Sequence, residues 1–206
     1  EKITANSFDL YKKLKPVDNV LSLKALMLAQ EIHEVKKDSE RIYAGLSKII
    51  TIERSDTYAL SDLLRMITKS NARYSEYLQK DIHFEVIFNE DFETKEHILL
   101  LAMLNNIVAN AIEAIETKGF IKLEVTTTPN VITFTIENNG PCIPENVLPV
   151  IFDPGYTTKF NENGIASTGI GLSHVQTIAY RLEGTITVSS NETTIFTITI
   201  PTYKLR

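Results

Sequence analysis

Apolar positions in the first part of the chain recur in alternating steps of four and three. They run Leu21, Ala25, Leu28, Ile32, Val35, then Ser39 as the one polar step, then Ile42, Leu46 and Ile49. Such spacing is the seam of a coiled coil or helical bundle. A second run follows at Leu60, Leu64, Ile67, Asn71, Tyr74 and Leu78. Between them TIERSDTYA is polar enough to be a turn, with Ser55 or Asp56 as the helix cap. Two helices joined this way form a hairpin, and a hairpin has only one neighbour to cover its seam. Pairing with a second copy into a four-helix bundle is therefore expected, a homodimer through the hairpin.

After about residue 80 the rhythm changes. IHFEVIF (82–88) alternates as a strand does, and residues 95–116 give one long amphipathic helix. FIKLEVTTT (120–128) and VITFTIE (131–137) are two β-rich runs separated by Pro129 and Asn130, a hairpin signal. A loop-rich region, 138–168, leads to a helix beginning near Gly169, and TITVSS and TIFTITI close the chain as two more strands. Strands with helices packed on one side make an α+β sandwich. The expected division is 1–80 for the helical hairpin and 81–206 for the sandwich.

Composition narrows the class. The chain has 206 residues, 43% hydrophobic and 23% charged, which suits one or two globular domains. A net charge of −5 argues against a general nucleic-acid binder, which needs a basic face. The single cysteine, Cys142, excludes a disulfide framework and fits a reducing cytoplasm. No apolar run reaches the roughly 18–20 residues that span a bilayer, and no signal peptide opens the chain. The sequence starts at Glu1 without a methionine, as a fragment would, so any membrane link is expected from a region that this sequence lacks.

Candidate chemistry gathers in the second half. The long helix carries Asn106, Asn110 and Glu113 on one face, opposite Leu101, Leu104, Val108, Ala111 and Ile115. An asparagine oxygen on that stripe suits a hard cation such as Mg²⁺, which prefers oxygen ligands and usually keeps phosphate partners. ENNGPCIP (137–144) follows a strand, with Asn138 offering donor and acceptor and Gly140 permitting an unusual backbone turn. In STGIGLSHV (167–175), Gly169 and Gly171 precede a helix and allow backbone N–H groups to approach a phosphate. Near the N-terminus His33 stands in EIHEVKKD, one residue past the seam position Ile32, and so points outward from the bundle.

Taken in order, these pieces resemble the catalytic core of bacterial sensor histidine kinases, whose ATP domain is of the GHKL type. NIVANAIEA (106–114) is similar to the family's asparagine box and NNGPCIP to its first glycine box. IFDPGYTTK (151–159) is similar to its phenylalanine box, STGIGL to its second glycine box, and EIHEVKKD to its phosphoacceptor segment. The resemblance implies that Asn110 coordinates Mg²⁺ on the ATP phosphates with Asn106 beside it, and that Asn138 contacts the adenine amino group. It places Gly140 in the first glycine box. Thr168, Gly169, Gly171 and Leu172 belong to the second box, and Thr157, Thr158 and Lys159 to a mobile stretch before the lid.

Three departures qualify the match. Asn138 stands where an aspartate is usual, Cys142 and Ser167 replace glycines, and Lys37 occupies a place where many relatives carry Thr or Asn. Relatives that hydrolyse ATP directly carry a glutamate four residues before the Mg²⁺ asparagine. Here that place is Asn106, and an amide is no base. The γ-phosphoryl then needs another acceptor, His33, with Glu34 to take its proton or hold its tautomer. The implied activity is autophosphorylation on His33 from Mg-ATP, followed by transfer to an aspartate of a response regulator receiver domain, in the cytoplasm. The rival readings are another kinase or phosphotransferase with this ATP fold and a non-catalytic dimerisation scaffold. The other histidines, His83, His97 and His174, read as structural, without metal-ligand spacing.

Overall fold

The structure, a computed structural model, describes residues 57–158 and 168–206 together with positions 13, 16, 20, 21 and 24. Contacts divide the chain into two compact units, Glu1–Ser55 and Asp56–Arg206. His33, Glu34 and the seam from Ala25 to Ile49 lie outside the described residues, as do Lys159 and Ser167.

In chain order the second unit runs β1 (Tyr58–Ala59), α1 (Leu60–Tyr77), β2 (Asp81–Phe88), β3 (Glu93–Thr94), α2 (His97–Ala114) and β4 (Lys118–Thr127). It continues with β5 (Val131–Asn138), α3 (Gly171–Arg181), β6 (Thr185–Ser190), β7 (Thr194–Pro201) and the short α4 (Thr202–Leu205). β1 pairs antiparallel with β3. The other strands form one five-stranded sheet in the order β2-β4-β5-β7-β6. β2 and β4 are parallel, as a strand, helix, strand crossover through α2 requires, and the remaining pairs are antiparallel.

Alternation explains the layers. β4 buries Ile121, Leu123 and Val125, β5 buries Ile132, Phe134 and Ile136, and β7 buries Phe196, Ile198 and Ile200. Their neighbours on the other face are Lys122, Glu124, Thr133, Thr135, Thr197 and Thr199, which keep partial access to solvent. The buried faces join α2 in a single core through Leu100, Met103, Leu104, Ile107, Val108 and Ile112. By length and composition alone α2 could cross a membrane, which the sequence reading missed. It is the central helix of the core instead, and Asn105, Asn106, Asn110 and Glu113 lie along it.

The domain boundary expected near residue 80 falls between Ser55 and Asp56. α1 was assigned to the dimerisation hairpin, yet it buries Leu60, Leu63, Leu64, Ile67, Asn71 and Ser75 inside the second unit. Its seam was read correctly and its partner was not, because periodicity reports that a face is covered but not by what. The N-terminal cap also differs. Ala59 at the cap position has no side-chain bond. Asp91, from the β2–β3 connection, accepts the Ser61 N–H at 2.9 Å and the Ser61 hydroxyl at 2.6 Å. This supplies from afar what an adjacent Ser or Asp usually provides.

Candidate functional site

The last turns of α2, the end of β5, the loop 141–158 and the start of α3 enclose a cavity of about 480 Å³. That volume is typical of small-molecule sites, which run roughly 300–1,000 Å³. Of the residues singled out from sequence, Asn110, Asn138, Thr157, Thr158, Thr168, Gly169, Gly171 and Leu172 line it. Asn106 and Gly140 do not line it but adjoin residues that do, Asn106 beside Gly171 and Gly140 beside Asn138.

One end is built from helix termini and glycines. α3 begins at Gly171, so its first N–H groups lie beside Asn110 on α2. A Cβ added at Gly171 would stand 3.2 Å from Asn106 Oδ1 and 3.8 Å from Asn110 Nδ2. The two amides therefore converge on the helix start in a space that a side chain would fill. Asn106 is oriented for this by donating its Nδ2 to the Ala102 carbonyl at 2.7 Å. Gly169 has φ +60, and a Cβ there would meet Gly155 C at 2.5 Å and Tyr156 O at 2.6 Å, so both conformation and space demand glycine. Backbone N–H groups, a helix N-terminus and neutral amide oxygens are suited to phosphate groups and an accompanying divalent cation. Among the described residues no group of three or more His, Cys, Asp or Glu side chains could hold a metal alone. Asn110 together with ligand phosphate oxygens is the donor set that fits Mg²⁺.

The deep end is apolar with a polar back wall. Ile143, Val147, Ile151 and Phe196 line it, and Asn138 and Thr194, each 3% exposed, close it. These two face each other as register partners on β5 and β7. Asn138 Oδ1 accepts the Gly140 N–H at 3.0 Å, and its Nδ2 lies 3.4 Å from the Thr194 carbonyl. Ser190 Oγ accepts the Ile143 N–H at 2.8 Å and pairs with Thr194 Oγ1 at 2.7 Å. Gly140 was expected to supply an unusual turn. Its φ is not in the left-handed region, and its use is space instead, because a Cβ would press 3.3 Å from Ala114 Cβ and 3.0 Å from Asn138 Oδ1.

Sequence reading gave no role to several lining residues, Pro141, Tyr156, Thr194 and Phe196, whereas Glu113, read on the polar helix face with Asn110, does line the cavity. Glu113 Oε1 accepts the Tyr74 hydroxyl at 2.8 Å. Burial and then that bond push the Tyr74 phenol up to about 12, so it stays a donor at any physiological pH. Lys80 caps the adjoining end of α2 by donating to the Ile112 and Glu113 carbonyls at 2.9 and 3.0 Å. Cys142 also lines the cavity, its Sγ bonded to the Asn191 carbonyl. Its turn uses ordinary backbone geometry, as expected of a residue standing where a glycine is usual. His97 stacks on Tyr58 with ring centroids 4.5 Å apart, and His83 and His174 are exposed away from the cavity.

A mixed five-stranded sheet, helices on one face and a cavity between a polar helix stripe and a glycine-flanked helix start define a class of ATP-binding domain. The chain belongs to the histidine kinase-, DNA gyrase B- and HSP90-like ATPase family, which matches residues 95–204. It is 42% identical over 205 residues to the sensor histidine kinase GlnK of Bacillus subtilis, covering 98% of this chain and 50% of that protein. It is 35% identical over 105 residues to the heme sensor protein HssS of Staphylococcus haemolyticus, covering 50% of this chain and 22% of that one. The chain thus spans half or less of the length of these curated relatives. Among solved structures, the catalytic domain of the histidine kinase ThkA superposes with a TM-score of 0.60 at 27% identity, covering 70% of this chain and 93% of that one. The Acinetobacter baumannii histidine kinase AdeS shares the fold, with a TM-score of 0.58 at 20% identity over 88% of this chain and 84% of that one.

Proposed function

We propose that this chain is the kinase core of a two-component sensor histidine kinase, moving the γ-phosphoryl of ATP to His33 and then to an aspartate of a response regulator. The observation that carries the reading is one cavity that joins a phosphate-suited end at Asn110, Gly169 and Gly171 to a base-suited end at Asn138 and Thr194.

The residues divide the work. The apolar slot takes a purine ring and excludes water around it, and the polar back wall fixes the ring's edge. The N-terminus of α3 and the loop at Thr157 and Thr158 receive the phosphates. Asn110 would hold Mg²⁺ there, and the cation would supply neutralisation of phosphate charge when bound. Asn106 provides no general base where a water-activating glutamate would stand, so the acceptor is a protein nucleophile. An imidazole nitrogen of His33 forms a bond to the γ-phosphorus as the bond from phosphorus to the β,γ-bridging oxygen breaks. ADP leaves, and Glu34 takes the imidazole proton. Residues 1–55 supply the dimerisation and phosphoacceptor segment, and any membrane attachment comes from outside this sequence.

Labelling with γ-phosphate-labelled Mg-ATP tests this. A phosphoramidate is lost in mild acid and retained in base, whereas phosphoserine behaves oppositely. The label is expected to be acid-labile and to vanish in His33→Gln with nucleotide binding intact, while His83, His97 and His174 substitutions leave it. Acid-stable label, or labelling that survives His33→Gln, overturns the histidine-kinase reading.

A further inference from the structure

The back wall of the cavity is uncharged, and that bears on which purine it accepts. Asn138 and Thr194 are the most buried polar side chains lining the cavity, so an aromatic base entering the slot past Ile143 and Phe196 meets them with its edge. Asn138 has its amide orientation fixed from two sides, by the Gly140 N–H on Oδ1 and the Thr194 carbonyl near Nδ2. Oδ1 keeps a second lone pair, and Nδ2, held only by a contact at 3.4 Å, keeps a second N–H. The wall therefore presents an acceptor and a donor side by side.

The neighbouring hydroxyls behave the same way. In the Ser190–Thr194 pair at 2.7 Å either oxygen can be the donor, so Thr194 can turn a proton or a lone pair toward the cavity. A carboxylate at position 138 would offer acceptors only. It would match the amino group at C6 of adenine and repel the C6 oxygen of hypoxanthine or guanine. A carboxamide flanked by a reversible hydroxyl pair answers either group.

Resting on the reading of this cavity as the nucleotide site, we propose that Asn138 and the Ser190–Thr194 pair make it accept 6-oxopurine nucleotides alongside adenine nucleotides. The substrate class is purine nucleoside polyphosphates with either an amino group or an oxygen at C6.

Calorimetric titration of the intact chain with ADP and inosine diphosphate, both with magnesium, tests this directly. Inosine lacks the 2-amino group of guanine, so the comparison isolates the C6–N1 edge, where adenine sets a donor beside an acceptor and hypoxanthine an acceptor beside a donor. The two dissociation constants are expected within about tenfold of each other, since neither base leaves a buried polar group unpaired. In Asn138→Asp the preference for ADP should grow by a further factor of about ten or more, with circular dichroism showing that the variant is folded. ADP binding with inosine diphosphate weaker by more than about a hundredfold in the unaltered chain overturns the inference and leaves the ATP reading standing. Failure of both nucleotides to bind overturns both. The unaltered chain decides by itself if the variant does not fold.

Discussion

Asn71 on α1 donates its Nδ2 to Asn105 Oδ1 on α2 at 2.7 Å, across the contact between the two helices. Asn71 is 5% exposed, and the same Nδ2 also reaches the Ile67 carbonyl at 2.9 Å. The bond fixes the register of α1 against the helix whose next residue, Asn106, faces the start of α3. Asn71→Leu removes the donor and leaves the Asn105 carbonyl without it. A destabilisation of about 1–3 kcal/mol is expected from a partly buried group losing its partner, read from urea unfolding. Unchanged stability would show that Asn105 finds water instead.

The boundary at Asp56 makes a prediction about truncation. A fragment of residues 56–206 should unfold cooperatively and bind nucleotide as the full chain does. A fragment beginning at residue 81 loses α1 and with it Leu60, Leu63, Leu64 and Ile67, each at most 2% exposed. Uncovering one face of α2 in this way should abolish cooperative unfolding, since each buried aliphatic contributes roughly 1.5–3 kcal/mol. Near-ultraviolet circular dichroism and thermal melts distinguish the two fragments.

Asp91 gives stability a pH signature. Hydrogen bonds from the Ser61 side chain, then from the Ser61 and Phe92 backbone, hold its carboxyl below the usual carboxylate range. A pKa depressed on folding contributes stability above the unfolded value of about 3.9 and loses it as pH falls through the lower folded value. Asp91→Asn keeps one acceptor but loses the carboxylate charge at the helix start, so it should cost about 0.3–1 kcal/mol at neutral pH. The gap between the two proteins should begin to shrink as pH drops below about 4 and close only below the lower folded value, where the native carboxylate is protonated too. A gap that stays constant into acid would assign the effect to shape rather than charge.

Two glycines with positive φ should respond differently to alanine. Gly155, at φ +87, has nothing within 4 Å of an added Cβ, so Gly155→Ala incurs only the backbone term, roughly 1–2 kcal/mol. Gly169 has the strain and also backbone contacts at 2.5 to 2.7 Å, so the strand of loop from Gly155 to Tyr156 must move. Gly169→Ala should weaken Mg-nucleotide binding by about tenfold or more, as misplacement near a phosphate site does. Titration calorimetry on both variants checks the contrast.

Asn110→Ala should leave the fold intact, because the side chain is half-buried on the cavity rim rather than in the core. Mg-ADP affinity should fall by about tenfold or more, while metal-free ADP loses less, if the amide serves the cation. Equal loss with and without magnesium would assign Asn110 to the nucleotide alone.

Much of the second unit was legible in the sequence because its periods are clean. β5 and β7 alternate strictly, and α2 shows its apolar faces, so strand and helix types followed from local pattern. What escaped was non-local. The seam of α1 looks the same whether it packs on a second hairpin or on α2. Asp91 caps a helix thirty residues earlier in the chain, beyond any local capping signal. Thr194 and Phe196 read as ordinary strand residues, and only the β5–β7 register brings them to the cavity beside Asn138.

That register has a kinetic side. The back wall joins Asn138 to Thr194 across 56 residues, so it cannot exist before the last strand has docked on the sheet. The closure entropy of such a loop is met late, after local helix and hairpin contacts have formed. Interactions made after the folding barrier act on the escape rate from the native state rather than on the rate of reaching it. Bound nucleotide should accordingly lengthen the native lifetime while leaving refolding from denaturant almost unchanged.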